Sequence, residues 1–212
     1  YTANVQPRSL FNRNTDNPLQ DSIRLMRVDV ANGVATKSWL TTFVRSHNHE
    51  LVSLDASSLE SCLLFFNYSE NAREIYPLKA QVIKVDPDGH TVFTKDLDFH
   101  LLKVLLAQNG DYLLTGSSDS KKGTARIARM RPDGTIVWSV SKDKVPNTSE
   151  PVKLTWRGDC VELEDGSILL FVDAWLYDKN SGGGTGAGWW VWKLSDDGKE
   201  RWMRLWINSS LE

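Results

Sequence analysis

The chain has 212 residues, with 25 Lys and Arg against 27 Asp and Glu, a formal charge of -2 and a pI of about 6.1. Charges of both signs are interspersed, which argues against a dedicated nucleic-acid surface. No apolar run approaches the ~18 residues of a membrane-spanning helix. The length suits one well-buried domain, or four small sheets sharing a centre.

Taken in order, the chain starts at Tyr1 and not Met, as a removed leader or a trimmed chain would leave it, and Leu211-Glu212 reads as a cloning remnant. Residues 1 to 20 are polar and broken by Pro7 and Pro18. Two strands are expected there, around Tyr1 to Gln6 and Arg8 to Arg13, before a clearer third at Ile23 to Val28. That strand turns at Ala31-Asn32-Gly33, and Trp39 follows six residues past the glycine. Repeat two reads as four strands: His49 to Leu54, Cys62 to Tyr68, Ala80 to Val85 and Thr91 to Lys95. Repeat three is the most regular, with Leu101 to Ala107, an Asn109-Gly110 turn, Asp111 to Gly116, a third strand and the Asp133-Gly134 hairpin. Repeat four runs through Cys160 to Glu164, Asp165-Gly166, Ser167 to Tyr177, Trp189 to Leu194 and Arg201 to Trp206.

The punctuation recurs. IARMRPDGTIVWSV, VIKVDPDGHTVF and VWKLSDDGKERW each run a strand into a Gly turn, with an aromatic residue four past the glycine (Trp138, Phe93 and Trp202). LMRVDVANGVATKSW is a looser copy in which a bulge or longer loop would shift Trp39. Gly33, Gly89, Gly134 and Gly198 are spaced by 56, 45 and 64 residues. Such periods mean stacked modules, each too small to bury its apolar face alone. Counting back from the glycines, Val85 and Ile83, Met130 and Ala128, Leu194 and Trp192 share one strand face; Val82, Ile127 and Val191 lie on the other. Sheets apolar on both faces suit a stack better than a half-wetted sheet. Lys84, Arg129 and Lys193 recur five before the glycine, where a long basic stem can pack on a neighbouring ring and reach an acidic partner.

VDPDGHTVF, MRPDGTIVW and LSDDGKERW, with GDYLLTGSS and DGSILLFVD, resemble a bacterial family of propeller repeats similar to the pyrroloquinoline-quinone-dehydrogenase-like repeat, over roughly residues 45 to 206. The resemblance implies a β-propeller and is almost silent on function, since such repeats serve enzymes, outer-membrane assembly scaffolds and adhesins alike. No quinone site is identified. Four repeats are fewer than usual for that family, so one chain closes a small ring, or the chain is an arc, or two chains complete a ring together. Closure by one chain is the expectation. It would hold Cys62 and Cys160 beyond the ~7 Å Cα separation that a disulfide tolerates.

The whole chain, residues 1–212, is thus expected to be a single all-β propeller domain of four-stranded antiparallel blades, with repeats near 1–44, 45–98, 99–143 and 144–208. Five of nine tryptophans fall in the last 24 residues. Blade packing is expected to claim Trp138, Trp192 and Trp202. Alternation puts Trp189 on the face opposite Trp190 and Trp192. Exposed indoles are platforms for sugar rings, which makes Trp175, Tyr177 and Trp189, with Trp156, the candidate ligand-binding residues. His47 and His49 lie on one strand face, and His100 holds the equivalent place at the next link; these are candidate metal ligands against a reading as polar loop residues. The glycine run Ser181 to Gly188 reads as a flexible loop. It does not carry the Gly-Lys-Ser/Thr ending of a phosphate loop. Asp96 with Asp98, and Glu162 with Glu164, alternate onto one strand face without specifying acid–base chemistry.

The expected function is a non-catalytic binding module, extracellular, periplasmic or cell-surface, that reads a glycan or other extracellular ligand through loops at one face. A protein-interaction scaffold is the alternative, and an enzyme at the channel mouth the third reading. No cofactor and no nucleic-acid partner are expected. Homo-oligomers are expected if the ring is incomplete.

Overall fold

A computed structural model describes residues 2–5, 21–32, 34–45, 49–56, 58, 60–69, 79–117, 124–142, 152–177 and 184–207. Among these the chain is all-β: fifteen strands lie in four antiparallel sheets, each of consecutive strands in blade-like order. No helix among the described residues is long and apolar enough to cross a membrane. The chain divides into two compact units, Tyr1–Asp98 and Phe99–Glu212.

The first unit holds β1 (Thr2–Val5), β2 (Asp21–Ala31) and β3 (Val34–Arg45) in one sheet, and β4 (His49–Asp55), β5 (Cys62–Tyr68), β6 (Lys79–Val85) and β7 (Thr91–Leu97) in the next. The expected strand Tyr1 to Gln6 exists as β1, but it pairs directly with β2. It therefore occupies the second position of its blade, not the first. The expected strand Arg8 to Arg13 lies outside the described residues. The second unit holds β8 (His100–Leu106), β9 (Tyr112–Ser117), β10 (Ala125–Met130) and β11 (Ile136–Lys142), followed by β12 (Val152–Glu162), β13 (Ile168–Tyr177), β14 (Gly184–Leu194) and β15 (Glu200–Ile207).

Five hairpins share one build. In the β10–β11 turn the Arg131 N–H donates to the Thr135 carbonyl and the Gly134 N–H donates back to the Arg131 carbonyl, each at 2.9 Å. The same pair of bonds recurs around Gly89, Gly110, Gly166 and Gly198, and all five glycines have positive φ. Only a residue without Cβ takes that position at no steric cost. The residue before the glycine adds a local reason for Asp or Asn: Asp133 Oδ1 accepts from the Thr135 N–H at 2.8 Å, and Asn109 and Asp165 do the same two residues on. The Thr135 N–H holds the Asp133 carboxyl below its usual range, the Ser167 hydroxyl and N–H do so for Asp165, and bonds from the Lys199 and Ser195 side chains hold Asp197 at about 2.

The first hairpin departs from this build. Arg27 pairs with Trp39 and Val28 with Lys37, so Ser38 is the bulged residue, and the ladder then continues to Ala31 opposite Val34. Asn32, next to the last pair of that ladder, has φ 53°. The expected bulge is present. The extra residues lengthen the arm and do not enlarge the loop, which is why Trp39 lies further from its glycine.

Each unit buries one apolar seam between its two sheets. In the first, Leu25, Trp39 and Phe43 meet Cys62, Leu64, Phe66, Tyr68, Ile83 and Val85. In the second, Leu105, Leu113, Ile127, Trp138 and Val140 meet Cys160, Ile168, Leu170, Val172, Trp190, Trp192 and Leu194. The opposite-face residues Val82, Ile127 and Val191 are buried as well, so the third strands are apolar on both faces at these positions. Cys62 and Cys160 are buried free thiols. Burial raises them to about 11 and about 12.

Two seams use the same device. In the first unit the Trp39 Nε1–H donates to the Pro87 carbonyl at 2.6 Å, and the indole lies over Gly89, where an added Cβ would sit 2.9 Å from Trp39 Cδ2. In the second, the Trp138 Nε1–H donates to the Asp196 carbonyl at 2.9 Å, and a Cβ at Gly198 would sit 2.7 Å from Trp138 Cδ2. Each time the tryptophan of one sheet caps a glycine notch in the next. The cross-strand partner of that tryptophan, Arg27 or Arg129, reaches the same turn: Arg27 Nη1 donates to the Pro87 carbonyl at 2.9 Å and Arg129 Nη1 to the Asp196 carbonyl at 3.1 Å.

Candidate binding surface

Strand alternation in the fourth sheet separates two environments. Ile168, Leu170 and Val172 of β13 and Trp190, Trp192 and Leu194 of β14 point into the seam with the third sheet. Trp190 and Trp192 stack there, with ring centroids 5.7 Å apart and planes at 17°. The alternate residues line the opposite face, in an open depression of about 910 Å³: Val161 from β12, Leu169 and Phe171 from β13, Trp189 and Val191 from β14, and Trp202 and Trp206 from β15. Trp189 is 56% exposed and Trp206 47%. They lie directly across the β14–β15 ladder from each other. Trp202 is 36% exposed, with the Arg204 guanidinium 5.4 Å from its ring centre.

The rim is polar. Lys103 of β8 forms an ion pair with Asp159 of β12, and both border the depression. Across the β13–β14 ladder Asp173 stands opposite Trp189. An apolar floor with aromatic walls and a few charged groups at its edge is the ordinary composition of a recognition surface.

Over Trp202, Lys193, Val191, Leu169 and Val161 this face repeats the one by which the third sheet packs on the fourth, whereas Trp189 and Trp206 stand where the third sheet has Ala125 and Lys142. Trp202 is paired with Lys193 as Trp138 is with Arg129. Lys193 faces Leu169, which faces Val161; Arg129 faces Leu113, which faces Leu105. Val191 corresponds to Ile127. In the third sheet those residues are the seam, whereas in the fourth they form the open depression. Blade packing was expected to bury Trp138, Trp192 and Trp202. It buries Trp192 and caps a glycine with Trp138, but leaves Trp202 at the surface, because no sheet among the described residues of its unit follows β15.

The structure brings one of the expected ligand-binding residues to this face, Trp189, and it lies opposite Trp190 and Trp192 as alternation requires. Trp175 and Tyr177 lie on β13 in register with Ala187 and Gly184, and Trp156 lies on β12 between the paired residues Leu154 and Gly158; their side chains fall outside the described residues. Trp202, Trp206, Phe171 and Leu169 were not expected here. Leu169 and Phe171 follow from alternation along β13; placing Trp202 and Trp206 needs the β14–β15 register, which a bulge shifts beside Lys193 and Leu194. The glycine run expected as a loop is partly strand. Gly184 to Gly188 extends β14 along Ala174 to Tyr177, because ladder hydrogen bonds need only backbone; residues 181–183 lie outside the described set.

The other candidates separate from this face. His47 lies outside the described residues, as does the side chain of His49, and His100 is buried at the start of β8. The ligand atoms that do come together are those of Asp86, Asp88 and His90, within 4.8 Å of one another. Asp86 Oδ1 there accepts from the backbone N–H groups of Asp88 and His90 at 2.9 and 2.8 Å, so its carboxylate is committed to holding the turn. The paired carboxylates are committed too. Asp96 accepts from the Gln81 amide and the Tyr68 hydroxyl. Glu162 Oε2 accepts from the Gln108 N–H at 2.6 Å, and its Oε1 meets Arg129 Nη2 at 3.1 Å. Arg129 is 3% exposed and also contacts Asp111, Asn109 and Asp196. This ionic knot joins the third and fourth sheets.

No protein-family model matches the chain and no curated protein matches it. Among solved structures, a protein of unknown function from Bacteroides caccae aligns over 91% of this chain and 78% of its own, at 9% identity and a TM-score of 0.36. A eukaryotic initiation factor aligns over 90% of this chain and 54% of its own, at 8% identity and a TM-score of 0.36. Likenesses this loose carry no argument about this chain. Its own elements define an all-β protein of consecutive blade-like sheets with an open aromatic face on the last.

Proposed function

We propose that the chain is a non-catalytic interaction module whose recognition surface is the open face of β12–β15. One observation carries this reading: Trp189, Trp202 and Trp206 stand exposed on a face whose counterpart in the preceding sheet is a buried seam between two sheets of this chain. Exposed aromatic clusters of this kind mark contact sites, because their burial is worth much and their two side-chain torsions cost little entropy to fix. A polypeptide partner is favoured, since the face repeats a pattern that elsewhere in this chain packs on a sheet.

A glycan is the second reading, favoured by the facing indoles of Trp189 and Trp206 and by Asp159 and Lys103 at the rim. It carries the extracytoplasmic setting with it. Membership of the pyrroloquinoline-quinone-dehydrogenase-like repeats is likewise a proposal, resting on the recurring Gly turns and their tryptophans. To separate the two ligand classes, a photo-crosslinking amino acid is placed at Val161 and, as control, at the exposed Val92 of β7. Polypeptide adducts at Val161 and none at Val92 support the interaction module. Carbohydrate adducts at Val161 select the glycan, and equal adducts at both positions sink the proposed surface.

A further inference from the structure

We infer that the open face of β12–β15 docks the outer face of β1–β3 from a second copy of this chain. The inference deepens the interaction-module reading and rests on it. Its starting point is that sheets in this chain have two unlike faces. A leading face carries the tryptophan, its basic partner and the apolar residues of Trp138, Arg129, Ile127, Leu113 and Leu105 type. A trailing face carries the residues that receive it, of Leu194, Trp192 and Met203 type, and these are buried or packed against the second-unit core.

The fourth sheet exposes a leading face, as shown above. The first sheet exposes a trailing one. Met26 and Val28 flank Arg27 as Trp192 and Leu194 flank Lys193, and Leu40 follows Trp39 as Met203 follows Trp202. Met26 and Val28 are only half-buried, and Leu40 is 48% exposed. The chain therefore displays one leading surface and one that shares the trailing pattern at Met26, Val28 and Leu40, with the exposed Arg24 standing where the fourth sheet has Trp190. A contact between unlike surfaces is heterologous, joining copies head to tail.

One feature of the first sheet sets the strength of the contact. Its β2–β3 ladder continues past the Ser38 bulge to Ala31 opposite Val34, a longer arm than those that carry the Gly89 and Gly198 notches. The contact rests on Trp189, Leu169 and Val161 against Met26 and Leu40, and is reversible with concentration.

The test is sedimentation equilibrium of the full chain from low micromolar to about 100 µM. The wild type is expected to rise from one chain mass of 24.0 kDa toward at least twice that value. Trp189→Glu blocks the leading face and Leu40→Glu the trailing one, so each variant alone stays at one chain mass. Mixed in equal amounts they regain a one-to-one complex, since each supplies the face the other has lost. Both positions are exposed, and circular dichroism checks the fold; Trp189→Ser with Leu40→Thr repeats the assay if either glutamate variant fails to fold. A wild type at one chain mass throughout overturns the inference, as does unaltered self-association of either variant or a mixture that does not recombine. If the wild type is monomeric while the Val161 crosslinker still captures another polypeptide, the inference fails and the interaction module stands.

Discussion

The third and fourth sheets carry the same leading face and meet different fates. In the third, Trp138 caps Gly198, Arg129 is enclosed by Asp111, Glu162 and Asp196, and Leu113 and Ile127 are fully buried. In the fourth, Trp202 is exposed, and Lys193 stands 3.8 Å from an exposed Asp165. The residue pattern is one of readiness to pack. The energy is realised only where a neighbouring sheet removes water from it.

The largest expected contrast is at the basic position. Arg129→Met leaves the nearly buried Glu162 and Asp111 carboxylates without their cation and should cost about 3–5 kcal/mol in urea unfolding. Lys193→Met should cost about 0.5 kcal/mol or less, as the solvated pair there is weak. Equal losses at the two sites would erase the distinction between covered and open faces.

Next is the aromatic position. Trp138→Ala removes a half-buried indole and its hydrogen bond to the Asp196 carbonyl, with an expected loss of about 3 kcal/mol. Trp202→Ala should change stability by less than about 1 kcal/mol. A large loss at Trp202 measured in dilute solution would mean that its face is covered within the chain.

The glycines sharpen the same point. Gly198 and Gly110 have nearly equal φ, +79° and +84°, so alanine strains both backbones by about 1 kcal/mol. At Gly198 the new Cβ also meets Trp138, while at Gly110 nothing lies within 4 Å. Gly198→Ala should therefore cost about 1 kcal/mol more than Gly110→Ala. The excess should vanish in a Trp138→Ala background, a coupling that a double-mutant cycle reads directly.

The smallest effect is the acid limb of stability. Asp133, Asp165 and Asp197 have folded pKa values below the unfolded one, so their contribution is complete above about pH 4. It is lost as pH falls through the folded values, down to about 2 for Asp197. Asp197→Asn should lower stability near neutrality and flatten its pH dependence between about pH 4 and 2, so that the variant and the wild type converge at acid pH. An unchanged acid limb would show that the turn carboxylate contributes nothing through its ionisation.

How much of this was legible beforehand differs between elements. Strands β5 to β11 and the five glycine hairpins were readable because alternation and positive φ are local demands on the backbone. Trp189 was readable as the odd member of its strand for the same reason. Trp202 and Trp206 were not, since their neighbours depend on a bulge that shifts the ladder beside Lys193. The first repeat was misread in part. Its three sheet positions are filled with β1 beside β2, and pairing partners are chosen in three dimensions.

By itself, the order of residues determined the all-β class, the module length, the turn chemistry and the two-faced apolar character of each sheet, because these follow from interactions a few residues long. Tertiary structure alone decided which tryptophan caps a glycine and which meets solvent, and which cation is enclosed by carboxylates. Covering a face needs a second surface brought from tens of residues away, and among the described residues of their unit that surface is present for the third sheet and absent for the fourth.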